Sequence, residues 1–149
     1  MPVVADTGPI VAAASRSDDL HDVAAALIIA AGRDLLVPEP VVTEADWLIR
    51  ERVGVAAARG FLRALVDGAY QRVTLSPSLF TAAVEIDQQY GNLDLGLVDA
   101  SVMAVAEATD SAILTFDYQD FRAAPPRRGG AWQLVFDESE LGRWKRRRR

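Results

Sequence analysis

The sequence predicts an α/β fold, a single domain with a mainly parallel central sheet flanked by helices. Three observations support this prediction. Short runs rich in Val, Ile and Leu alternate with longer helical patterns, as in β-α-β units. The strand runs are apolar throughout, as expected of parallel strands that are covered on both faces. The 149 residues include no cysteine, and a chain of this length can bury one core without disulfides.

The first element is an apolar strand, Val3 to Ala5, followed at once by Asp6, Thr7 and a Gly-Pro turn. In open α/β sheets, ligands bind beyond the carboxyl ends of the strands, so Asp6 is placed to face a crevice. Alternatively, Asp6 or Thr7 only caps a helix over Ile10–Ser15. These residues alone do not decide between the two interpretations.

The next elements are a helix and a second buried strand. Ser17 to Asp19 can cap a helix over Leu20–Ala31. Leu35–Val37 then predicts a strand, and Pro38 ends it because proline cannot donate to a sheet ladder.

Glu44 is predicted near the start of the third helix. Thr43 and Asp46 resemble a capping pair for a helix that runs to about Val53, and another helix follows over Val55–Val66. An acid in a first turn is favoured by the helix dipole, so on its own Glu44 has an adequate structural explanation.

The third strand is predicted over Gln71–Leu75 and the next helix over Pro77–Tyr90. Asp99 follows near the start of a helix, embedded among small and apolar residues. A carboxylate without a partner is costly in such surroundings, and a cation would supply the partner.

Asp117 repeats the placement of Asp6, because it comes just after the buried strand Ala112–Thr115. Asp120 is expected on the surface. A last strand is predicted over Trp132–Phe136, and an acidic turn and a basic tail follow. The predicted organisation is one α/β domain over residues 1–136 and a partly disordered segment over residues 137–149.

The net charge of −5 conceals an asymmetry, because the last seven residues hold six of the 16 basic side chains. The other residues carry ten basic against 21 acidic side chains, a net charge of −11. Such an acidic body can bind nucleic acid only if cations bridge the two, whereas the basic tail can bind phosphate directly. A solvated, disordered end is the alternative explanation of the tail.

Composition also restricts the chemistry. One histidine, His21, cannot form a His-rich zinc site or a pair of acid/base imidazoles, and we assign it no role. Without cysteine there is no thiolate nucleophile. No leader segment or membrane-spanning run is apparent, so we expect a soluble, cytoplasmic protein. Any catalysis is expected to depend on carboxylates.

Four carboxylates at one edge of the sheet would repel each other unless divalent cations entered, and Mg²⁺ or Mn²⁺ suits an all-oxygen site. Such a site supports hydrolysis of a phosphodiester. The expected acids are Asp6, Glu44, Asp99 and Asp117. Thr7 and Thr115 are expected to hydrogen-bond these carboxylates or a bound water.

Four segments resemble the successive motifs of the PIN domain family, and most closely those of the VapC toxins of bacterial type II toxin–antitoxin systems. They are DTGPIVA from Asp6, the pair Thr43-Glu44, LVDASVMAVAE around Asp99 and ILTFDYQDF around Asp117. The resemblance extends from Val3 to about Val135, with the motifs in the right order. The KRRRR ending is not part of the pattern.

The resemblance implies a PIN fold and a Mg²⁺- or Mn²⁺-dependent endoribonuclease. It places metal ligands at Asp6 and Asp99, with Asp117 completing the site and Glu44 holding a second ion or positioning water. Asp94 is a neighbouring acid of lower rank. A homodimer and a cognate VapB antitoxin that obstructs the acidic pocket are also implied.

Three alternatives stay open. Phosphoryl transfer through an aspartyl phosphate needs a lysine beside the aspartate, but the only lysine is Lys145, and Gly8 stands where a second acid would follow Asp6. A PIN-like domain that binds RNA or a partner without cutting would be expected to lack one of the four acids. A housekeeping RNA-processing nuclease would keep the chemistry but have a different biological role.

Overall fold

The computed structural model describes residues 1–149. It contains four strands, β1 Val3–Ala5, β2 Leu35–Pro38, β3 Gln71–Val73 and β4 Ala112–Leu114. Eight helices surround them: α1 Thr7–Ala14, α2 His21–Ala31, α3 Glu39–Arg52, α4 Val55–Val66, α5 Pro77–Gln89, α6 Gly96–Thr109, α7 Tyr118–Ala123 and α8 Glu138–Arg147. Short 3₁₀ turns cover Gly32–Asp34 and Gly91–Leu93. No helix is both long enough and apolar enough to span a bilayer.

The sheet confirms the predicted α/β class, because all its neighbouring strands are parallel and their order is β3-β2-β1-β4. Val4 of β1 lies opposite Leu36 of β2 on one side and Ile113 of β4 on the other, and all three are buried. The chain runs outward from β1 to β2 and β3, and then returns to pair β4 with the other edge of β1. This reversal makes the carboxyl ends of β1 and β4 the expected crevice of the fold.

Helix α6 is the most deeply buried helix, since every residue from Ala100 to Ala106 is buried. A helix that is apolar on all sides belongs inside a domain. It packs against α5 and lies close to β1 and β4. Asp99 immediately precedes this buried run, so the core fixes the position of its backbone.

The start of α3 corrects the prediction for Glu44. The helix begins at Glu39, not near Thr43, because Pro40 fits the first turn, where its missing N–H has no partner to lose. Thr43 is not a cap, and its Oγ1 donates to the carbonyl oxygen of Glu39 at 3.3 Å. Glu44 therefore lies in the second turn of α3.

The region after β4 differs in three ways from the prediction. Residues 132–136 form only a single parallel bridge, between Leu134 and Ile113, in place of a strand. A short helix, α7, follows Asp117 directly. The expected turn and tail contain α8, which begins with a capping box in which Asp137 and Glu140 each accept from the other's backbone N–H. The division of the chain at residue 136 stays a prediction.

Replacing Ile113 should test how much of the fold rests on β4. We expect Ile113→Ala to lower the free energy of unfolding by about 2–5 kcal/mol, because the side chain is fully buried and its loss leaves a cavity. Ile29→Ala is the matched control, since Ile29 is 79% exposed and its loss should cost within about 0.5 kcal/mol. Urea unfolding measures both, and equal midpoints would contradict this account of the core.

Candidate functional site

A cleft of about 570 Å³ opens at the carboxyl ends of β1 and β4. All four predicted acids line it, although they lie far apart in the sequence: Asp6, Glu44, Asp99 and Asp117. Its other walls come from α1, the loop before α2, one side of α3 and the residue after Thr115. The structure therefore brings the predicted acids to one place.

Asp6 has both of the roles that the sequence left open. Its Oδ1 accepts from the backbone N–H of Thr7 at 2.9 Å, which makes Asp6 the N-cap of α1. Its Oδ2 accepts from Thr115 Oγ1 at 2.8 Å, and the residue is only 6% exposed. The carboxylate is thus held at both oxygens while it lines the cleft.

Thr115 links the two strand ends. Besides donating to Asp6, its hydroxyl oxygen accepts from the backbone N–H of Asp117 at 2.9 Å. The backbone N–H of Asp6 also donates to the carbonyl oxygen of Leu114 at 2.9 Å. These contacts place Asp6 and Asp117 at neighbouring strand ends in a defined arrangement.

A third carboxylate joins Asp99 and Asp117. The ligand atoms of Asp99, Asp117 and Asp120 all lie within 4.8 Å of one another. Asp120 was expected on the surface, but α7 begins directly after Asp117 and turns Asp120 back beside it, where its backbone N–H donates to Asp117 Oδ1 at 3.2 Å. Asp6 and Glu44 line the same cleft outside this tight group.

Helix α3 contributes one side of the cleft through a row of residues at helical spacing. Glu44, Leu48 and Arg52 stand at i, i+4 and i+8 and all line it. Arg52 was not among the predicted site residues, although its spacing from Glu44 in the sequence was the available signal. Arg52 has no carboxylate within salt-bridge distance, so it is a free cation at the wall of an acidic cleft.

Burial and mutual repulsion raise the pKa values of these acids. Burial is the main cause of the raised pKa of Asp6, and the hydrogen bonds from Thr115 and Thr7 partly oppose it. Burial, followed by the charge of Asp6, raises the pKa of Asp99 to about 8. The pKa of Asp117 is raised as well, chiefly by burial. The cluster therefore resists carrying its full negative charge without a cation.

Thr7 Oγ1 is the one buried side-chain polar atom that has no hydrogen-bond partner within the chain. Thr7 is 5% exposed and lines the same cleft as the acids. A buried hydroxyl normally finds a partner, so its environment suits a ligand oxygen. Together with the clustered carboxylates, this free hydroxyl fits a hard divalent cation and its oxygen ligands.

Two other residues lie outside this arrangement. Asp94 does not line the cleft, and it is exposed with a left-handed backbone at φ 50°. His21 uses its Nδ1 to contact the carbonyl oxygen of Ala12 at 3.0 Å. The position of Asp94 therefore gives it no part in the acidic cluster.

A model of the PIN domain family matches residues 3–125, which confirms the resemblance seen in the four motifs. The chain is also similar to Ribonuclease VapC26 of Mycobacterium tuberculosis (strain ATCC 25618 / H37Rv). The two are 28% identical over 134 residues, which cover 89% of this chain and 99% of that protein.

Two solved structures share the fold. One is Mycobacterium tuberculosis VapC20, described as a toxin that cleaves the sarcin-ricin loop, with a TM-score of 0.72 and 19% identity over 78% of this chain and 91% of that one. The other is VapBC2 of Rickettsia felis bound to a DNA fragment from its promoter, with a TM-score of 0.64 and 14% identity over 85% and 95% of the two chains. At these identities the likeness establishes the fold.

The raised pKa of Asp99 has a consequence for stability. Because the folded state disfavours the ionised form, metal-free protein should lose stability as the pH rises from about 4, near the unfolded pKa, to about 8. Asp99→Asn removes this penalty, so it should stabilise the protein by about 1–3 kcal/mol at pH 8, after allowance for solvent screening, and by less at pH 5.

Urea unfolding in EDTA at both pH values measures this effect. Asp94→Asn is the control, because it makes the same chemical change at an exposed acid outside the cleft. A gain for Asp99→Asn that does not grow with pH would contradict the assigned cause.

Proposed function

The chain belongs to the PIN domain family, and we propose that it is a divalent-metal-dependent endoribonuclease that acts as the toxin of a VapBC-type toxin–antitoxin pair. The observation that carries the proposal is the single cleft that holds Asp6, Glu44, Asp99 and Asp117. The similarity to a protein named as a ribonuclease over 89% of this chain supports the same activity.

The cofactor in this proposal is Mg²⁺, with Mn²⁺ as a substitute. Asp6, Asp99 and Asp117 would hold the ion, and Glu44 would hold a second ion or position water. When bound, such a cation offsets the carboxylate repulsion and supplies Lewis-acid assistance for attack of water on a phosphodiester. The packing of Asp120 against Asp99 and Asp117 makes it a candidate fourth carboxylate.

The surrounding residues supply positioning. Thr115 fixes the Asp6 carboxylate, which leaves the Thr7 hydroxyl free to donate to a bound oxygen. Arg52 offers a cation on the wall of the cleft for a phosphate of the substrate. The substrate class proposed is RNA.

A cognate VapB-type antitoxin is the proposed protein partner, and the likeness of the fold to VapBC2 supports it. We place the pair in the cytoplasm, with residues 1–136 as the nuclease domain and 137–149 as an appended segment. A homodimer is also proposed. Trp47, Phe80 and Leu97 support it, because these exposed apolar side chains line one open groove that Glu44 also borders.

Cleavage of RNA by the purified protein tests the activity. We expect discrete fragments from total cellular RNA with Mg²⁺ or Mn²⁺ and none with EDTA. Asp99→Asn should lower the rate on the order of 100-fold or more, because a misplaced or missing ligand removes the alignment of the reacting groups. Asp94→Asn, the same change outside the cleft, should cleave like the wild type.

Cleavage that survives both EDTA and Asp99→Asn would contradict the proposed metal site. The biological role has a separate test, in which expression of the chain arrests growth and co-expression of a neighbouring antitoxin gene restores it. Arrest that is equally strong with Asp99→Asn would show that the nuclease is not its cause.

Thr115 should act as a positioning residue. Thr115→Val removes the hydrogen bonds to Asp6 and from Asp117, so we expect activity to fall about 10–100-fold, as for other groups that orient metal ligands. Thr115→Ser keeps the hydroxyl and should retain most of the activity. The measurement is the cleavage rate as a function of Mg²⁺ concentration. A role limited to folding would leave the Mg²⁺ dependence of folded Thr115→Val unchanged.

A further inference from the structure

The basic segment at the end of the chain is docked on the body of the protein. Arg148 Nη1 lies 2.7 Å from Asp22 Oδ2 at the start of α2, and its guanidinium carbon lies 4.9 Å from the centre of the Trp144 ring. Trp144 is half-buried on α8, and Asp137 caps the start of that helix. An ion pair thus connects the end of the segment to the start of α2.

This end of the segment lies beside the acidic cleft. A second cleft, of about 610 Å³, lies between the loop before α2 and the end of α8, and Asp18 lines both clefts. Asp18 is itself fixed, since its Oδ1 accepts from the backbone N–H of Leu20 at 2.8 Å. A chain-like ligand that leaves the acidic cleft past Asp18 therefore meets the second cleft.

Free positive charge is concentrated there. Six of the 16 basic side chains form ion pairs with acids: Arg50, Arg72, Arg122, Arg127, Arg128 and Arg148. Half of the other ten lie in residues 143–149. Among these, Lys145 and Arg149, together with Arg16 from the facing loop, line the second cleft. None of the three forms an ion pair. Three acids, Asp18, Asp19 and Asp22, also line this cleft, and Asp22 is paired with Arg148. Three unpaired cations therefore stand beside two unpaired acids, which leaves a net positive charge for an anion.

We propose that Lys145, Arg149 and Arg16 form a phosphate-binding surface for the part of the RNA strand that flanks the cleavage point. This inference rests on the proposed ribonuclease function and names a substrate subsite for it. Phosphate contacts by Lys and Arg supply most of the affinity of sequence-independent binding. Because the rest of the body is strongly acidic, it attracts RNA weakly, and contacts from these three side chains would supply the missing attraction for phosphate.

The position favours RNA over other polyanions. A membrane-surface helix needs an apolar face, and none of the exposed large apolar side chains lies in α8. Nothing in the structure links duplex DNA to the acidic cleft. An RNA strand held at the acids for cleavage, in contrast, would pass the second cleft at Asp18. Continuity of the two clefts is therefore the reason for choosing RNA.

The test measures binding of a fluorescein-labelled 20-nucleotide oligouridylate by anisotropy between 50 and 200 mM KCl, with Mg²⁺. Asp99→Asn is the common background, so that the RNA is not cut. The test variant adds Lys145→Gln and Arg149→Gln. The matched control adds Arg59→Gln and Arg63→Gln, which remove two unpaired arginines of α4 that line neither cleft.

We expect the test variant to bind more weakly than the background. Its plot of log affinity against log salt concentration should be less steep by about 1.4, since each of two lost single-strand phosphate contacts contributes about 0.7. Between 50 and 200 mM KCl, the fold-decrease in affinity should therefore be about seven times smaller for the test variant than for the background. The control should match the background. Equal behaviour of test and control variants overturns the inference, as does a loss of binding seen with duplex DNA or anionic vesicles but not with RNA.

Failure of this inference is distinguishable from failure of the proposed function. If protein with native Asp99 cleaves RNA in a Mg²⁺-dependent manner while the two charge variants bind alike, the surface is wrong and the nuclease stands. Circular dichroism of each variant checks that the total helix content is unchanged before binding is compared. If protein with native Asp99 does not cleave, the proposed function fails whatever the salt slope.

Discussion

The pairing of β1 with β4 is the constraint on which the site depends. It sets Asp6 directly beside Thr115, whose hydroxyl bonds the Asp6 carboxylate and the backbone of Asp117 within 2.9 Å. Two acids that are more than a hundred residues apart in sequence are thereby fixed on neighbouring strand ends. The buried core fixes the parallel register of β1 and β4, and this register sets the relative positions of Asp6 and Asp117 in the cleft.

The acidic cluster lowers the stability of the metal-free protein. Burial and proximity raise the pKa values of Asp6, Asp99 and Asp117, so each ionised group costs folding free energy while no cation is present. The buried stretch Ala100–Ala106 of α6 and the central strands compensate, because a close-packed core tolerates local repulsion that a looser one would relieve by moving apart. A cluster that is costly when empty gives a cation a correspondingly large advantage on binding.

The sequence predicted the four parallel strands, with Asp6 and Asp117 after two of them, because apolar strand runs and the residues that follow them obey local rules. Glu44 and Asp99 lie on helices, and the structure brings them to the same cleft, as expected. The sequence did not predict what depends on chain geometry at longer range. Asp120 entered the cluster only because α7 turns it back, and Arg52 lines the cleft because it lies two helical turns beyond Glu44 on the same face of α3. The bridge at Leu134 forms no full strand, because β4 offers it only the backbone groups of Ile113. The two interpretations of Asp6 did not exclude each other, because its Oδ1 caps α1 while the residue also lines the cleft.

The charge distribution gives the acidic cleft and the second cleft different ways of binding a polyanion. Inside the acidic cleft, the proposed nuclease would need a cation, because carboxylates alone repel phosphate and only Arg52 opposes them. Beyond Asp18, free Lys and Arg side chains can bind phosphate without a cation, and salt screens them strongly because they are exposed. The proposed metal dependence and the proposed salt dependence therefore belong to different parts of the surface. A chain with an acidic body can in this way act on RNA while most of its surface discourages unspecific binding of nucleic acid.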